Sequence, residues 1–129
     1  MNAQVTEKDI GHVDVERNKV VYPFAKKEFQ LKPEEEVRLI MVKKLILEYG
    51  YAPDQISLEV SVKAGQVTLP KKADIIVFNS TTNHDPASQA YIVVELKKQD
   101  RKDGVDQMQT YCNNTTAEYG VWFNGKDIV

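Results

Sequence analysis

Two carboxylates and a lysine set into otherwise apolar runs are the residues of this chain best suited to chemistry. Asp74 stands at the start of the run Ala73–Phe78, and Glu95 and Lys97 close the run that begins at Tyr91. An acid beside a core gives up hydration and is disfavoured unless something replaces the lost water. Side chains at i and i+2 of a strand share a face, with Cα atoms roughly 6.5 Å apart, so Glu95 and Lys97 project together. If the two runs pair, Asp74 and Glu95 converge on one cation. Two carboxylates, the backbone carbonyl of Leu96 and waters suit a hard, oxygen-seeking ion, Mg²⁺ first and Mn²⁺ in its place. Such an ion polarises a phosphoryl group and acidifies water, while Lys97 stabilises developing charge. The chemistry on offer is phosphodiester hydrolysis.

Those three residues need a sheet beneath them and helices against it. Ala73–Phe78 and Tyr91–Leu96 are continuous β-branched and aromatic runs, the pattern of central strands covered on both faces. Ile56, Leu58, Val60 and Val62 alternate with polar residues, as in a strand with one buried face, before a turn at Ala64-Gly65-Gln66. Residues 79–90 are polar, contain Pro86 and read as a surface loop. Pro33 opens a helix to about Tyr49, with Glu34, Glu35 and Glu36 at its positive end and Gly50 as the stop. Its two apolar stripes, Val37-Ile40-Met41-Leu45 and Leu39-Val42-Ile46-Tyr49, ask for cover over more than half the circumference. A second helix starts near Asp103, a residue able to cap it, and carries Val105, Met108 and Cys112 on one face. Tyr119–Phe123 reads as a last strand before an Asn124-Gly125 turn, and residues 12–30 as short strands around Glu16-Arg17-Asn18-Lys19. The order of helix, three strands, helix and strand predicts an α/β sandwich with a central mixed sheet flanked by helices.

Composition bounds the reading without deciding it. The 129 residues are 42% hydrophobic, which suits one domain with one core. Seventeen basic residues against 19 acidic give a formal net charge of -2, so no global positive field draws in nucleic acid. Cys112 is the one cysteine, which excludes an internal disulfide and a cysteine-rich zinc site and points to a reducing, cytoplasmic setting. The opening residues are polar, and no apolar run approaches the ~20 residues that span a bilayer, so no membrane association is expected. His12 and His84 lack partners at metal-site spacing and read as surface histidines.

Ala73-Asp74 followed, after residues 75–94, by Glu95-Leu96-Lys97 resembles the PD-(D/E)xK nuclease motif. Gln107-Met108-Gln109-Thr110-Tyr111 resembles the Gln-x-x-x-Tyr element of a subset of these nucleases, and its i, i+4 spacing puts both side chains on one helix face. Pro33-Glu34-Glu35-Glu36-Val37-Arg38 is similar to the start of the N-terminal domain of type I restriction endonuclease motor subunits. The blocks agree in order and spacing from about residue 32 onward, and their joint occurrence is more specific than any one of them. The resemblance implies a restriction-endonuclease-like sandwich, with residues 1–31 an extension and 32–129 the nuclease core of a longer protein. It implies Asp74, Glu95, Lys97 and a first-helix glutamate as the catalytic set, with Glu35 carried over and Glu34 and Glu36 as rivals. Asp74, Glu95, Glu35 and the Leu96 carbonyl would hold the metal; Gln107, Tyr111 and Lys98 would contact DNA or support the site. The implied partners are double-stranded DNA and the motor, modification and specificity components of a restriction complex. Ala73 stands where the family name has proline, which leaves the ligand itself unchanged.

Other readings attach to the same residues. Glu95 and Lys97 alone would suit a surface ion pair, Gln107 and Tyr111 a polar helix flank, and Lys98, Arg101 and Lys102 solvated lysines and arginine. Cys112 reads as core. Gly120 to Asp127 falls one residue short of a phosphate-binding loop, since Asp127 replaces the required Ser or Thr, so no ATP site is expected in these residues. A silent nuclease-fold scaffold that docks DNA or partners is the alternative to an endonuclease.

Overall fold

The computed structural model describes residues 7–98 and 104–129. A single turn, α1 (Glu7–Ile10), leads into an antiparallel meander of β1 (His12–Asp14), β2 (Lys19–Tyr22) and β3 (Lys27–Gln30). Asn18 closes the first turn with a left-handed φ of 56°, a conformation that asparagine tolerates better than most residues. Phe29, on β3, and Tyr22, on β2, meet edge to face. The meander thus presents an aromatic surface to α2 (Pro33–Lys43).

Proline at the first turn and three glutamates beside it begin α2 as the sequence predicts. The helix continues through a five-residue π-helical segment, Lys44–Glu48, and breaks before Gly50, whose φ is +79°. Val37, Met41, Val42, Leu45 and Ile46 are buried, whereas Ile40 and Tyr49 from the predicted stripes stay exposed. The covered arc is therefore narrower than the two stripes together.

The central sheet follows. β4 (Ile56–Val60) precedes a small hairpin of β5 (Lys63–Ala64) and β6 (Val67–Thr68), then β7 (Ala73–Phe78), α3 (Pro86–Gln89), β8 (Ala90–Leu96), α4 (Val105–Asn113) and β9 (Tyr119–Phe123). The sheet order is β4-β7-β8-β9, with β4/β7 and β7/β8 antiparallel and β8/β9 parallel. A parallel neighbour cannot be reached by a hairpin, and α4 is the crossover that joins β8 to β9. Ile75, Val77 and Val94 pack with α2, while Ile76, Phe78 and Val93 pack with Tyr111 of α4. Both central strands are covered twice, which is why their sequences are apolar without alternation. The result is a mixed sheet between helices, the sandwich read from the sequence.

Two local readings change. Residues 79–90 are not all irregular: Asp85 accepts a hydrogen bond from the Ala87 amide at 3.0 Å and caps α3. His84 is no plain surface histidine, since it stacks on buried Phe78 with centroids 4.3 Å apart and binds Ser57 Oγ at 2.6 Å. Residues 120–127 form β9 and a hairpin turn, in which Asn124 Oδ1 accepts from the Lys126 and Asp127 amides. The predicted cap Asp103, like Arg101 and Lys102, lies outside the described residues; Gly104 stands at the N-cap of α4. Among the described residues, no helix is long and apolar enough to cross a membrane.

Candidate active site

The register of β7 against β8 builds the site. Ile76 faces Val93 and Ile75 faces Val94, so one step further Asp74 faces Glu95 at the end of both strands. Asp74 Oδ2 accepts the Leu96 amide at 2.8 Å, which anchors that carboxylate to the neighbouring strand. In an extended strand the N–H and C=O of one residue point to the same side, so the Leu96 carbonyl also faces β7. Glu95 is only 3% exposed. Burial first, and then the hydrogen bond and negative charge of Asp74, push its carboxyl up to about 9; Lys97 and Lys71 oppose the shift. Two like charges side by side cannot both ionise cheaply, which favours the protonated form of Glu95.

Lys97 lies on the same face, its Nζ 3.8 Å from Glu95 Oε2, and its amide donates to the Phe123 carbonyl at 3.0 Å. β9 thereby fixes the backbone from which the lysine projects. Gly104 fits against this pair with a φ of +105°, and a Cβ built on it would stand 2.6 Å from Lys97 Cε. Both facts call for glycine.

Arg38 dominates the other side of the cleft. It is 3% exposed and donates from Nη1 to the Asp74 carbonyl at 3.0 Å and from Nη2 to Glu35 Oε2 at 3.2 Å. Its Nε lies 2.8 Å from Glu35 Oε1, a close ionic contact without hydrogen-bond direction, and its Nη2 lies 3.4 Å from Glu59 Oε1. The Phe29 ring closes over the guanidinium at 4.4 Å. Burial raises the Glu35 carboxyl above the ordinary range, and the charge of Arg38 counters it. Glu59 sits between the pairs Leu58–Ile75 and Val60–Ala73, level with Asp74, and its φ of 56° is left-handed. A non-glycine residue in that region stores backbone strain, and such residues gather at functional sites.

Glu35, Arg38, Glu59, Asp74, Glu95 and Lys97 share one cleft of about 340 Å³. Of the predicted residues, Asp74, Glu95, the Leu96 backbone and Lys97 come together; Lys98, exposed, reaches the rim. Glu35 lines the same cleft, but both its oxygens face Arg38. Glu34, exposed, lines this cleft too, whereas Glu36 lines a separate depression. Gln107 and Tyr111 do form a pair: Gln107 Nε2 donates to Tyr111 Oη at 2.9 Å, and that hydroxyl donates to the Lys71 carbonyl at 2.8 Å. Tyr111 is 1% exposed, so it holds the protein together here rather than facing solvent. Cys112 is half-buried, and its thiol is raised by burial, as befits a packed side chain.

Four contributors had no role in the site assigned from the sequence, although Arg38 stands in the block Pro33–Arg38 that carries the resemblance. Arg38 carried a signal, a cation on the inner face of α2 one turn after Glu35. Glu59 looked like any polar residue of an alternating strand, and Lys71 like an ordinary loop lysine. Gly104 gave no clue beyond being glycine.

The donor set matches a hard divalent cation. Among the described residues no three acid, histidine or cysteine side chains converge as a metal-binding group, so protein ligation would come from two carboxylates plus backbone. A magnesium site that keeps much of its water needs no more. A buried acid pair that retains a proton is also the arrangement in which a cation can take that proton's place.

Fold and site together define a mixed α/β sandwich whose central strands end in an acid pair beside a lysine. The family model described as type I restriction enzyme R protein N terminus matches residues 33–129, and the chain belongs to that family. The match begins at the first residue of α2, so the meander that supplies Phe29 lies before it. No curated protein matches the chain.

Proposed function

We propose that this chain is the DNA-cleaving module of a type I restriction enzyme R subunit, an endonuclease of the PD-(D/E)xK kind. The observation that carries the reading is the facing of Asp74 and Glu95 across β7 and β8, with Lys97 on the same face. Asp74, Glu95 and the Leu96 carbonyl would hold Mg²⁺, with Mn²⁺ able to substitute. Bound there, the ion would supply Lewis acidity to a phosphoryl oxygen and to an attacking water.

The chain's own groups do the rest. Asp74 is oriented by the Leu96 amide and, through its carbonyl, by Arg38. Glu95 must lose its proton to act as a ligand, which ties activity to the exchange of that proton for a cation. Lys97 holds a positive charge beside the place where an in-line displacement builds negative charge. Glu35, held by Arg38, lines the same cleft and would contribute to the metal site from the α2 side. Substrate contact by backbone shape alone suits a module whose partners, the specificity, modification and motor components, choose the site and move the DNA. Family membership supports that context, and a net charge of -2 is compatible with it.

Nicking of supercoiled plasmid with Mg²⁺ or Mn²⁺ tests the proposal, in the chain itself and in an assembled R subunit. Cleavage that disappears in both Asp74→Ala and Lys97→Ala, each verified as folded, is the expected result. An assembled enzyme that cleaves equally well with either substitution would overturn it and favour a silent docking domain.

A further inference from the structure

The cleft has an acidic floor and a basic edge. Besides Lys97, four lysines line it: Lys32, Lys71, Lys72 and Lys98. Among the described residues none of these four is in an ion pair, whereas Arg38 and Lys97 each face a glutamate. A chain with a net charge of -2 therefore carries locally unneutralised positive charge around the site. The Lys71–Lys72 segment leads directly into β7 and so reaches the cleft just before Asp74. Its position is specified from below. The buried Tyr111 hydroxyl donates to the Lys71 carbonyl, and Gln107 in turn donates to that hydroxyl. Lys71 also lies close enough for its charge to act on Glu95.

Resting on the nuclease reading above, we propose that Lys71 and Lys72 grip the phosphate backbone of the DNA beside the acid pair. Gln107 and Tyr111 are positioning residues that set this edge through the Lys71 carbonyl, without touching DNA. A phosphodiester is the ligand these groups fit, because unpaired ammonium groups on an otherwise acidic cleft neutralise phosphates and release counterions. The hydrogen-bond chain gives the edge a fixed height that flexible lysines alone would lack. Phosphate contacts of this sort position the duplex without reading sequence.

The experiment is fluorescence anisotropy of a labelled DNA duplex with the 129-residue chain, titrated at several salt concentrations with Ca²⁺ present. The native chain, Lys71→Ala/Lys72→Ala, Tyr111→Phe and the triple variant are compared, with unfolding curves confirming that each is folded. Each lost phosphate contact should lower the slope of log K against log salt by about 0.9, so the double variant loses about one to two units of slope. Tyr111→Phe should weaken binding roughly fivefold, about the worth of one hydrogen bond. In the double-variant background Tyr111→Phe should have no further effect, which a merely structural tyrosine would not reproduce. Calorimetric Mn²⁺ binding should be unchanged in Tyr111→Phe, which removes no charge from the cleft. An unchanged salt slope in the double variant, additive losses in the triple variant, or no salt-dependent binding by the native chain would overturn the proposal. The nuclease reading would fall separately, with loss of cleavage dependence on Asp74 and Lys97.

Discussion

The two sides of the cleft treat negative charge in opposite ways. On the α2 side, Glu35 and Glu59 meet a resident cation, the buried guanidinium of Arg38. On the β8 side, Asp74 and Glu95 face each other, and burial and the neighbouring Asp74 favour the protonated form of Glu95. The first cluster is complete within the chain. The second is complete only with a proton or with something that replaces it. A buried acid pair is a poor way to stabilise a fold, because a hydrophobic pair of similar size would lack the desolvation penalty. The difference therefore separates the part of the cleft that holds shape from the part that the proposed cation would complete, and the link between them is the Asp74 backbone carbonyl bound by Arg38.

Removing the resident cation should be the most damaging change. Arg38→Ala leaves two glutamates facing each other without their partner and uncovers the Phe29 ring. A loss of about 3–5 kcal/mol in urea unfolding is expected, as for a broken buried ion pair. A loss under 1 kcal/mol would mean that the α2 side is not the structural half.

The acid pair should behave in the opposite sense. Folding raises the Glu95 carboxyl to about 9 from an ordinary 4.5, so the folded chain holds this proton more tightly than the unfolded chain. The associated stability is whole below about pH 4.5 and drains away as pH rises toward 9. Glu95→Gln, which keeps a donor toward Asp74 but cannot ionise, should flatten this fall and stabilise the protein at pH 7 by on the order of 3 kcal/mol. Thermal unfolding of both proteins between pH 5 and about 9 measures it. Parallel curves would show that the pair is not protonated in the folded chain.

Gly104 gives the smallest expected effect on stability and a clear one on function. Gly104→Ala forces a side chain into a left-handed φ, at about 1–2 kcal/mol. The Lys97 stem it strikes is flexible and can move aside, so the larger consequence is displacement of the ammonium group. Cleavage should fall roughly tenfold or more while Mn²⁺ affinity holds, since a misplaced charge loses transition-state stabilisation. Equal cleavage would show that the position of Lys97 is not critical.

What could be read in advance follows from how each feature announces itself. Continuous apolar runs identify β7 and β8, and Pro33, three acids and Gly50 bound the first helix, because burial and helix ends impose local patterns. Asp74 and Glu95 stood out because an acid in such a run is costly unless used. The partners of Arg38 depend on which strand lies level with which, and Glu59 becomes a neighbour of Asp74 only through the β4/β7 register. No local pattern carries that information. The tyrosine of the Gln-x-x-x-Tyr element was recognisable as special, but its target, a backbone carbonyl 40 residues away, was not. His84 likewise needs Phe78 and Ser57 beside it before it reads as structural.

The most direct test of the account is calorimetric Mn²⁺ titration of the native chain beside Asp74→Ala, Glu95→Ala and Glu59→Ala, all confirmed as folded. Binding lost in the first two variants and kept in the third is the predicted result, because the proposed cation would sit on the acid pair, whereas Glu59 already faces Arg38. Equal loss in all three, or binding that survives removal of Asp74 and of Glu95, would contradict the assignment of the cation to that side of the cleft.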